Sequence, residues 1–205
     1  RKAWLAPDAV SYNSVLDSLP ESDAGAALAL ELLTELSARQ VEPTVITYNT
    51  ALRICSGSPD AQLRLMSDMR RRGLRPNVRT YNSAIRACVD GGLWERAIAL
   101  AAEMRRMGLA PDVVTCNTAI SACATAGHWR WALGLLGQMS QLRLPRDAIS
   151  YGSAITACAG QWQLAFSLLR EARLEGVALD TVACNAAISA CEKSQEWEQA
   201  LLAFE

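Results

Sequence analysis

Apolar side chains recur along this chain at spacings of three and four residues, in short segments that turn residues separate. Between Val78 and Cys88 the apolar positions follow the i, i+3, i+4, i+7 order of a helix with one buried face. The segment from Trp94 to Met104 has the same period, and Asp90–Gly92 lies between the two. No segment of the sequence alternates apolar and polar residues as a strand would. The pattern therefore predicts an all-α chain of helical hairpins.

The hairpin pattern is repeated along the chain. One position near the start of each first helix, here called the slot residue, is occupied in turn by Asn13, Asn49, Asn82, Asn117, Gly152 and Asn185. Successive slot residues are 36, 33, 35, 35 and 33 residues apart. A period of roughly 20–50 residues indicates a solenoid, in which each repeat buries its apolar face against its neighbours. We predict a single array over residues 1–205, with repeats at 9–44, 45–77, 78–112, 113–147, 148–180 and an incomplete 181–205.

Two of the repeats are shorter because residues are missing from the turn between their helices. Cys158 and Trp162 bracket three residues, whereas Cys123 and Trp129 bracket five. Loops tolerate changes of length better than helices do. We therefore expect both helices of the shortened repeats to keep their length.

Composition and charge limit the classes of function. No run of about 18 apolar residues occurs, so we expect no membrane insertion. The net charge is −1 and the isoelectric point is about 6.0, which is not the basic balance of a typical nucleic-acid binder. A basic inner face offset by acidic outer helices would reconcile this charge with nucleic-acid binding. The chain opens with Arg1 and ends inside a predicted helix at Glu205, so we expect a longer protein and give the lack of a targeting peptide no weight.

Seven cysteines fall on repeated positions, and they could bind metal, form disulfides or pack in the core. Cys116 and Cys123 are seven residues apart on one helix. That is about 10 Å along its axis, too far for one zinc ion. We therefore favour small packing residues in a reducing compartment. The sequence has one histidine and no catalytic triad, phosphate-binding loop or pair of catalytic acids, so we expect no enzyme activity, cofactor or metal in these residues.

Two motifs recur together and carry a family resemblance. One is Val-x-Thr-Tyr-Asn, as in Val45–Asn49, and the other is Met-Arg-x-x-Gly-Leu-x-Pro-Asp, as in Met104–Asp112. Repeats with these motifs resemble the pentatricopeptide repeat, a helical hairpin of about 35 residues. The tetratricopeptide repeat has a similar period of about 34 residues, but its Trp-x-x-Leu-Gly-x-x-Tyr start is absent here.

The resemblance implies both a fold and a function. The implied fold is a right-handed α-solenoid superhelix of stacked antiparallel helical hairpins, whose first helices line a concave groove. The implied function is an adaptor that binds single-stranded RNA with one base per repeat, and such selective readout by helical repeats is known. Relatives act mostly in mitochondria or chloroplasts, in RNA processing, stability or translation. Some carry a further catalytic domain at the C-terminus.

The resemblance assigns base reading to two positions per repeat, the slot residue and the last residue of the repeat, here called the closing residue. The pairs are Asn13 with Thr44, Asn49 with Asn77, Asn82 with Asp112, Asn117 with Asp147, and Gly152 with Asp180, and Asn185 has no partner before the chain ends. By resemblance, Asn with Asp favours uracil and Asn with Asn favours cytosine, so the implied RNA is pyrimidine-rich. An Asn amide can both donate and accept at a base edge, but a closing Asp or Asn can equally be a helix N-cap. Gly152 has no side chain with which to read a base.

The resemblance assigns two further roles. The residue three before each slot would wedge between bases, and this set is Val10, Ile46, Arg79, Val114, Ile149 and Val182. Ordinary packing at the helix start is the alternative for these residues. The candidate phosphate contacts are Arg53, Arg86 and Lys193, with solvated charges as the alternative for the arginines. Because the chain is acidic and most of the family's lysines are missing, a protein-interaction α-solenoid scaffold that does not bind RNA remains the second hypothesis.

Overall fold

The structure, a computed structural model, describes residues 8–194, apart from the side chain of Asp23. This part of the chain contains eleven helices and no strand, which confirms the all-α prediction. The helices are α1 (Ala9–Asp17), α2 (Asp23–Ala38), α3 (Val45–Ile54), α4 (Pro59–Arg71), α5 (Val78–Asp90), α6 (Trp94–Arg106), α7 (Val113–Thr125), α8 (Trp129–Gln141), α9 (Ala148–Ala157), α10 (Trp162–Leu174) and α11 (Thr181–Lys193). The second helix predicted for the last repeat falls in residues 195–205, outside the described residues.

The chain divides into two compact units, residues 1–91 and 92–205. In the first unit, α3 packs beside α1 and α5, while α2 and α4 each pack against the odd-numbered helices before and after them. In the second unit, α9 packs beside α7 and α11, and α8 and α10 lie against their odd-numbered neighbours in the same way. Each unit is therefore a stack of helical hairpins, as an α-solenoid requires.

The odd-numbered helices, which are the first helices of the repeats, all begin with a side-chain cap. The six N-cap residues are the closing residues of the repeats together with Asp8, that is Asp8, Thr44, Asn77, Asp112, Asp147 and Asp180. In α5, Asn77 Oδ1 accepts a hydrogen bond from the Thr80 N–H at 3.0 Å, and Thr80 Oγ1 accepts one from the Asn77 N–H at 3.1 Å. Such a capping residue contributes about 1 kcal/mol. The capping role left open by the sequence is therefore present at every one of these positions.

The second helices end in left-handed turns. In α4 the Gly73 N–H donates to the Arg70 carbonyl at 2.9 Å and the Leu74 N–H donates to the Met69 carbonyl at 3.1 Å, the pair of bonds of a Schellman motif. Gly73 has a φ of 74°, a conformation in which glycine avoids the cost of a Cβ. Arg143 occupies the equivalent position with a φ of 55°, at a cost on the order of 1 kcal/mol.

The prediction that shortened repeats keep both helices is wrong. The first helices α3 and α9 have 10 residues, whereas α5 and α7 have 13. The second helices α4, α6, α8 and α10 all keep 13 residues. A reversal of chain direction needs a minimum number of residues, so a deletion in the turn is made up from the end of the first helix.

The core is built from the same repeat positions in both units. Tyr48, Tyr81 and Tyr151 are at most 1% exposed. All seven cysteines are free and six are buried, which confirms the packing interpretation for those six, while Cys184 is exposed. Burial raises the pKa of Cys123 to about 11, so this thiol stays protonated and unreactive near neutral pH.

Two kinds of site are not found in the described range. Within residues 8–194, no helix is long and apolar enough to cross a membrane. In the same range no cluster of histidine, cysteine and carboxylate side chains has the makings of a metal site.

Candidate functional site

The second residue of each first helix is exposed to solvent in every described repeat. Five of these residues are large aliphatics with exposed fractions between 59% and 68%, namely Val10, Ile46, Val114, Ile149 and Val182. The sixth, Arg79, is also exposed. Burying an aliphatic side chain is favourable by about 1.5–3 kcal/mol, so leaving five in water at equivalent positions is not explained by the core. Their exposure excludes packing at the helix start as an account of this row.

In the first unit two of these residues, Ile46 and Arg79, line a cavity of about 340 Å³ beside α3 and α5. Ile46, Asn49 and Arg53 come from α3, and Arg79 comes from α5. The cavity therefore joins two wedge candidates, one slot residue and one phosphate candidate. Its volume lies in the range of small-ligand sites, and its lining combines the apolar side chain of Ile46, the Asn49 amide, two guanidinium groups, the Asp17 carboxylate and the hydroxyls of Thr50 and Ser83.

The slot residue Asn49 is held by the next first helix. Thr80, the third residue of α5, donates from Oγ1 to Asn49 Oδ1 at 2.7 Å. Thr80 Oγ1 also lies 3.0 Å from Oδ1 of the closing residue Asn77. Thr80 is 0% exposed. Among the described residues, no hydrogen bond joins Asn49 Nδ2 to another protein group, so this repeat offers an amide donor at the cavity.

The slot residue Asn117 of the second unit is engaged at both ends of its amide. Its Nδ2 donates to both carboxylate oxygens of the closing residue Asp147, at 3.0 and 3.1 Å. Ser150, the third residue of α9, donates from Oγ to Asn117 Oδ1 at 2.6 Å. Asn117 is only 8% exposed. This polar group is therefore satisfied within the protein and closed to solvent.

The Asp147 carboxylate remains charged in this arrangement. Burial alone would raise the pKa of Asp147, but hydrogen bonds from Ser150 and from the Asn117 amide outweigh it and lower the pKa below its usual value. An ionised carboxylate only accepts hydrogen bonds. The closing residue of this repeat is thus an anionic acceptor, whereas Asn77 carries an amide with two N–H donors.

The repeat with glycine at the slot lacks this network. A Cβ added at Gly152 would lie 3.7 Å from the Cβ of Ala183, the third residue of α11. Asp180 caps α11 by accepting from the Ala183 N–H at 2.9 Å. With no amide at 152 and no hydroxyl at 183, the closing carboxylate has no side-chain partner of the kind found at Asn117.

The remaining slot residues differ among themselves. Asn13 is half-buried, and its Oδ1 has no hydrogen-bond partner among the described residues. Asn185 is exposed on α11. Asn82 is half-buried in the first unit, and Asp112 caps α7 in the second unit.

Comparison with known proteins identifies the repeats. A profile described as the pentatricopeptide repeat domain matches residues 5–58, 31–91 and 64–124, and one described as the PPR repeat family matches residues 111–160. The chain belongs to the pentatricopeptide repeat family. A comparison with curated protein sequences gave no match.

Solved structures of pentatricopeptide repeat proteins share the fold. The protein PPR10 in complex with an 18-nt psaJ RNA element has 29% sequence identity and a TM-score of 0.67, covering 97% of this chain and 28% of that one. The PPR domain of Arabidopsis thaliana protein-only RNase P 1, in complex with tRNA, has 18% identity and a TM-score of 0.73, covering 95% of this chain and 100% of that one. Arabidopsis thaliana nuclear RNase P 2 also has 18% identity and a TM-score of 0.73, covering 92% and 41%. This pentatricopeptide repeat chain thus spans little more than a quarter of PPR10.

Two of the three candidate phosphate contacts of this pentatricopeptide repeat chain are engaged by carboxylates. Arg53 donates to Glu21 at 2.7 Å and to Asp17 at 3.3 Å. Arg86 lies 3.0 Å from Asp90 on its own helix. Lys193 is exposed at the end of α11. Sequence reasoning missed the partners of Arg53, because Glu21 and Asp17 are 32 and 36 residues away from it.

Sequence reasoning also missed the third residue of each following first helix. The available signal was a correlation within the chain. The repeats after Asn13, Asn49 and Asn117 supply Thr47, Thr80 and Ser150 at this position, whereas the repeat after Gly152 supplies Ala183. In these repeats, an Asn at the slot is therefore accompanied by a Thr or Ser at the third position of the next first helix, and the Gly at the slot is accompanied by an Ala there.

Proposed function

We propose that this chain binds single-stranded RNA along its first helices, one base per repeat, and serves as an adaptor in RNA processing, stability or translation. One observation carries the proposal. In the first unit, the exposed Ile46, the amide of Asn49 and the guanidinium of Arg79 line a single cavity of about 340 Å³. An apolar wall beside a directional hydrogen-bonding group is what an unstacked base requires. The RNA in complex with PPR10 supports the same class of ligand.

Each repeat would hold a base between successive wedge residues. In the repeat of Asn49, the base stacks against Ile46 on one side and against the Arg79 guanidinium on the other. The amide nitrogens of Asn49 and Asn77 donate to the N3 and O2 acceptors of cytosine. In the repeat of Asn117, the anionic Asp147 accepts the N3–H of uracil. The preferred RNA is therefore pyrimidine-rich, with cytosine and uracil at these two repeats.

A second function is favoured by a different observation. The arginines that would meet phosphate are already paired, Arg53 with Asp17 and Glu21, and Arg86 with Asp90. The net charge of −1 also gives the chain little long-range attraction for a polyanion. The same face would then bind an extended peptide, as a protein-interaction scaffold without RNA affinity.

Fluorescence anisotropy with labelled oligonucleotides separates these functions. We expect a pyrimidine-rich RNA to bind more tightly than a purine-rich RNA of equal length, with a shallow salt dependence because few phosphates meet free cations. Equal affinity for RNAs of all sequences would contradict base-by-base reading. No affinity for any RNA at low salt would leave the protein scaffold as the function.

A matched pair of variants tests the wedge. Ile46→Ser should weaken binding about fivefold, because a base loses about 1 kcal/mol of apolar contact. Leu28 on α2 is also an exposed aliphatic, with 47% of its surface accessible, and Leu28→Ser is the control. Equal losses in both variants would contradict a wedge role for Ile46.

We further propose, from family membership, that the longer protein acts in a mitochondrion or a chloroplast. The family's usual action on the transcripts of these organelles supports this location. Expression of the full-length protein with a fluorescent tag would test it. Signal confined to the cytosol or nucleus would contradict it.

A further inference from the structure

We infer that Thr80, the third residue of α5, is a positioning residue, which sets which atom of the slot residue Asn49 faces the base. The inference rests on the proposed function for its consequence in base selection. The hydrogen bond on which it depends is a property of the protein alone.

Two acceptors lie within hydrogen-bond distance of the Thr80 hydroxyl. The Asn77 N–H donates to Thr80 Oγ1 at 3.1 Å, so the oxygen already accepts one bond. Its proton faces Asn49 Oδ1 at 2.7 Å and Asn77 Oδ1 at 3.0 Å, and both atoms are acceptors. In the observed arrangement the shorter of these two contacts goes to Asn49 Oδ1, and no hydrogen bond among the described residues engages the Asn49 nitrogen. Thr80 therefore favours the Asn49 orientation with the oxygen inward and the nitrogen free.

Burial makes this orientation persistent. Thr80 is 0% exposed, so water does not substitute for its hydroxyl at Asn49. A buried polar group that loses its partner carries the full cost of desolvation. Asn49 is half-buried and lines the cavity. The group offered to a base at this repeat is consequently a donor, which suits the acceptor edge of cytosine and not the N3–H of uracil.

The chain contains an internal control. Thr47, the third residue of α3, forms the same capping box with Thr44, with its Oγ1 accepting from the Thr44 N–H at 3.1 Å. Within residues 8–194 the Oδ1 of the preceding slot residue Asn13 has no hydrogen-bond partner, so Thr47 does not hold it. Removing the Thr47 hydroxyl removes a cap only, whereas removing the Thr80 hydroxyl removes a cap and an amide anchor.

The first test measures base preference. RNAs that differ only at the nucleotide facing the Asn49 repeat, with cytosine or uracil there, are bound to wild type, Thr80→Val, Thr80→Ser and Thr47→Val. We expect Thr80→Val to reduce the cytosine preference about fivefold to tenfold, Thr80→Ser to restore it, and Thr47→Val to leave it unchanged. An unchanged preference in Thr80→Val, or an equal loss in Thr47→Val, would overturn the inference. Should Thr80→Val fail to fold, Thr80→Ala replaces it, because the third residue of α11 is an alanine, Ala183.

The second test does not need RNA. Side-chain amide signals of Asn49, recorded by ¹⁵N NMR on the free protein, should shift in Thr80→Val and return in Thr80→Ser, while Thr47→Val leaves them in place. If Thr80→Val does not move the Asn49 signals, the anchor is absent and the inference fails. If they move but wild type binds no RNA, the proposed function fails and the positioning contact stands. The two failures are thus distinguishable.

Discussion

The repeats of Asn49 and Asn117 share a slot asparagine and a hydroxyl from the next helix, yet they present different groups. Asn49 leaves its amide nitrogen at a cavity, whereas Asn117 is 8% exposed and donates that nitrogen to Asp147 at 3.0 Å. The difference follows from the closing residue, because a carboxylate attracts the amide nitrogen and the Asn77 amide does not. Under the proposed function, a base at the Asn117 repeat would have to displace an existing bond, while a base at Asn49 would not. The closing residue would then set both the group offered to the base and the free-energy cost of offering it.

Exchanging the closing residues should have the largest effect. Asp147→Asn would give the Asn117 repeat two amides, and Asn77→Asp would give the Asn49 repeat an anionic acceptor. We expect each variant to reverse its preference between uracil and cytosine, by about tenfold or more, because a charge-assisted bond is gained or lost. Binding to RNAs that differ at one nucleotide measures this. A change that spreads evenly over all nucleotides would contradict the local role of the closing residue.

Placing an asparagine and a hydroxyl in the repeat of Gly152 should have the next largest effect on base preference. A side chain can begin at Gly152 without a clash, because an added Cβ would lie at an ordinary 3.7 Å from the Ala183 Cβ. Gly152→Asn combined with Ala183→Ser would recreate the arrangement of Asn117 and Ser150, with Asp180 as the closing carboxylate. We expect a new uracil preference of about fivefold at that nucleotide. Gly152→Asn alone is the control, and an equal gain from it would show that the hydroxyl is dispensable there.

Low pH should distinguish the closing residues Asp147 and Asn77 by a smaller effect, on the free energy of unfolding. The pKa of Asp147 is lower in the folded protein than its usual value. Its contribution to stability is therefore full above that usual value, near 3.8, and is lost as the pH falls through the folded pKa. The free energy of unfolding should fall less steeply below pH of about 4 in Asp147→Asn than in wild type. Urea unfolding at several pH values checks this, with Asn77→Ser as a control that changes a closing residue without removing a charge.

Removing the hydroxyl at the Asn117 repeat should have the smallest effect on base preference. Asp147 already fixes the Asn117 amide, so Ser150 is a second and redundant anchor. We expect Ser150→Ala to change the uracil preference by about twofold or less, in contrast to Thr80→Val at the Asn49 repeat. A loss as large as that of Thr80→Val would mean that the carboxylate does not orient the amide by itself.

The repeated sequence pattern was sufficient to predict the helical fold, because local periodicity and turn residues agree in every repeat. It also located the slot and closing residues by register alone. It could not show which atoms of those residues are already bonded. The pairing of Arg53 with Asp17 and Glu21 joins residues 36 and 32 positions apart, and the shortening of α3 and α9 depends on how the chain reverses. The arginine pairing arises from packing between neighbouring repeats, and the helix shortening arises from the geometry of the turn within one repeat.

The capping role of the closing residue restricts which side chains can occupy that position. Thr44, Asn77, Asp112, Asp147 and Asp180 all start a helix with their side chains. Only Ser, Thr, Asp, Asn and Gly do this well, and replacement by alanine costs about 1 kcal/mol. The residue types that can occupy this position without a loss of stability are therefore few and mostly short and polar. Alanine at one of these positions would therefore lower the stability of the fold by about that amount.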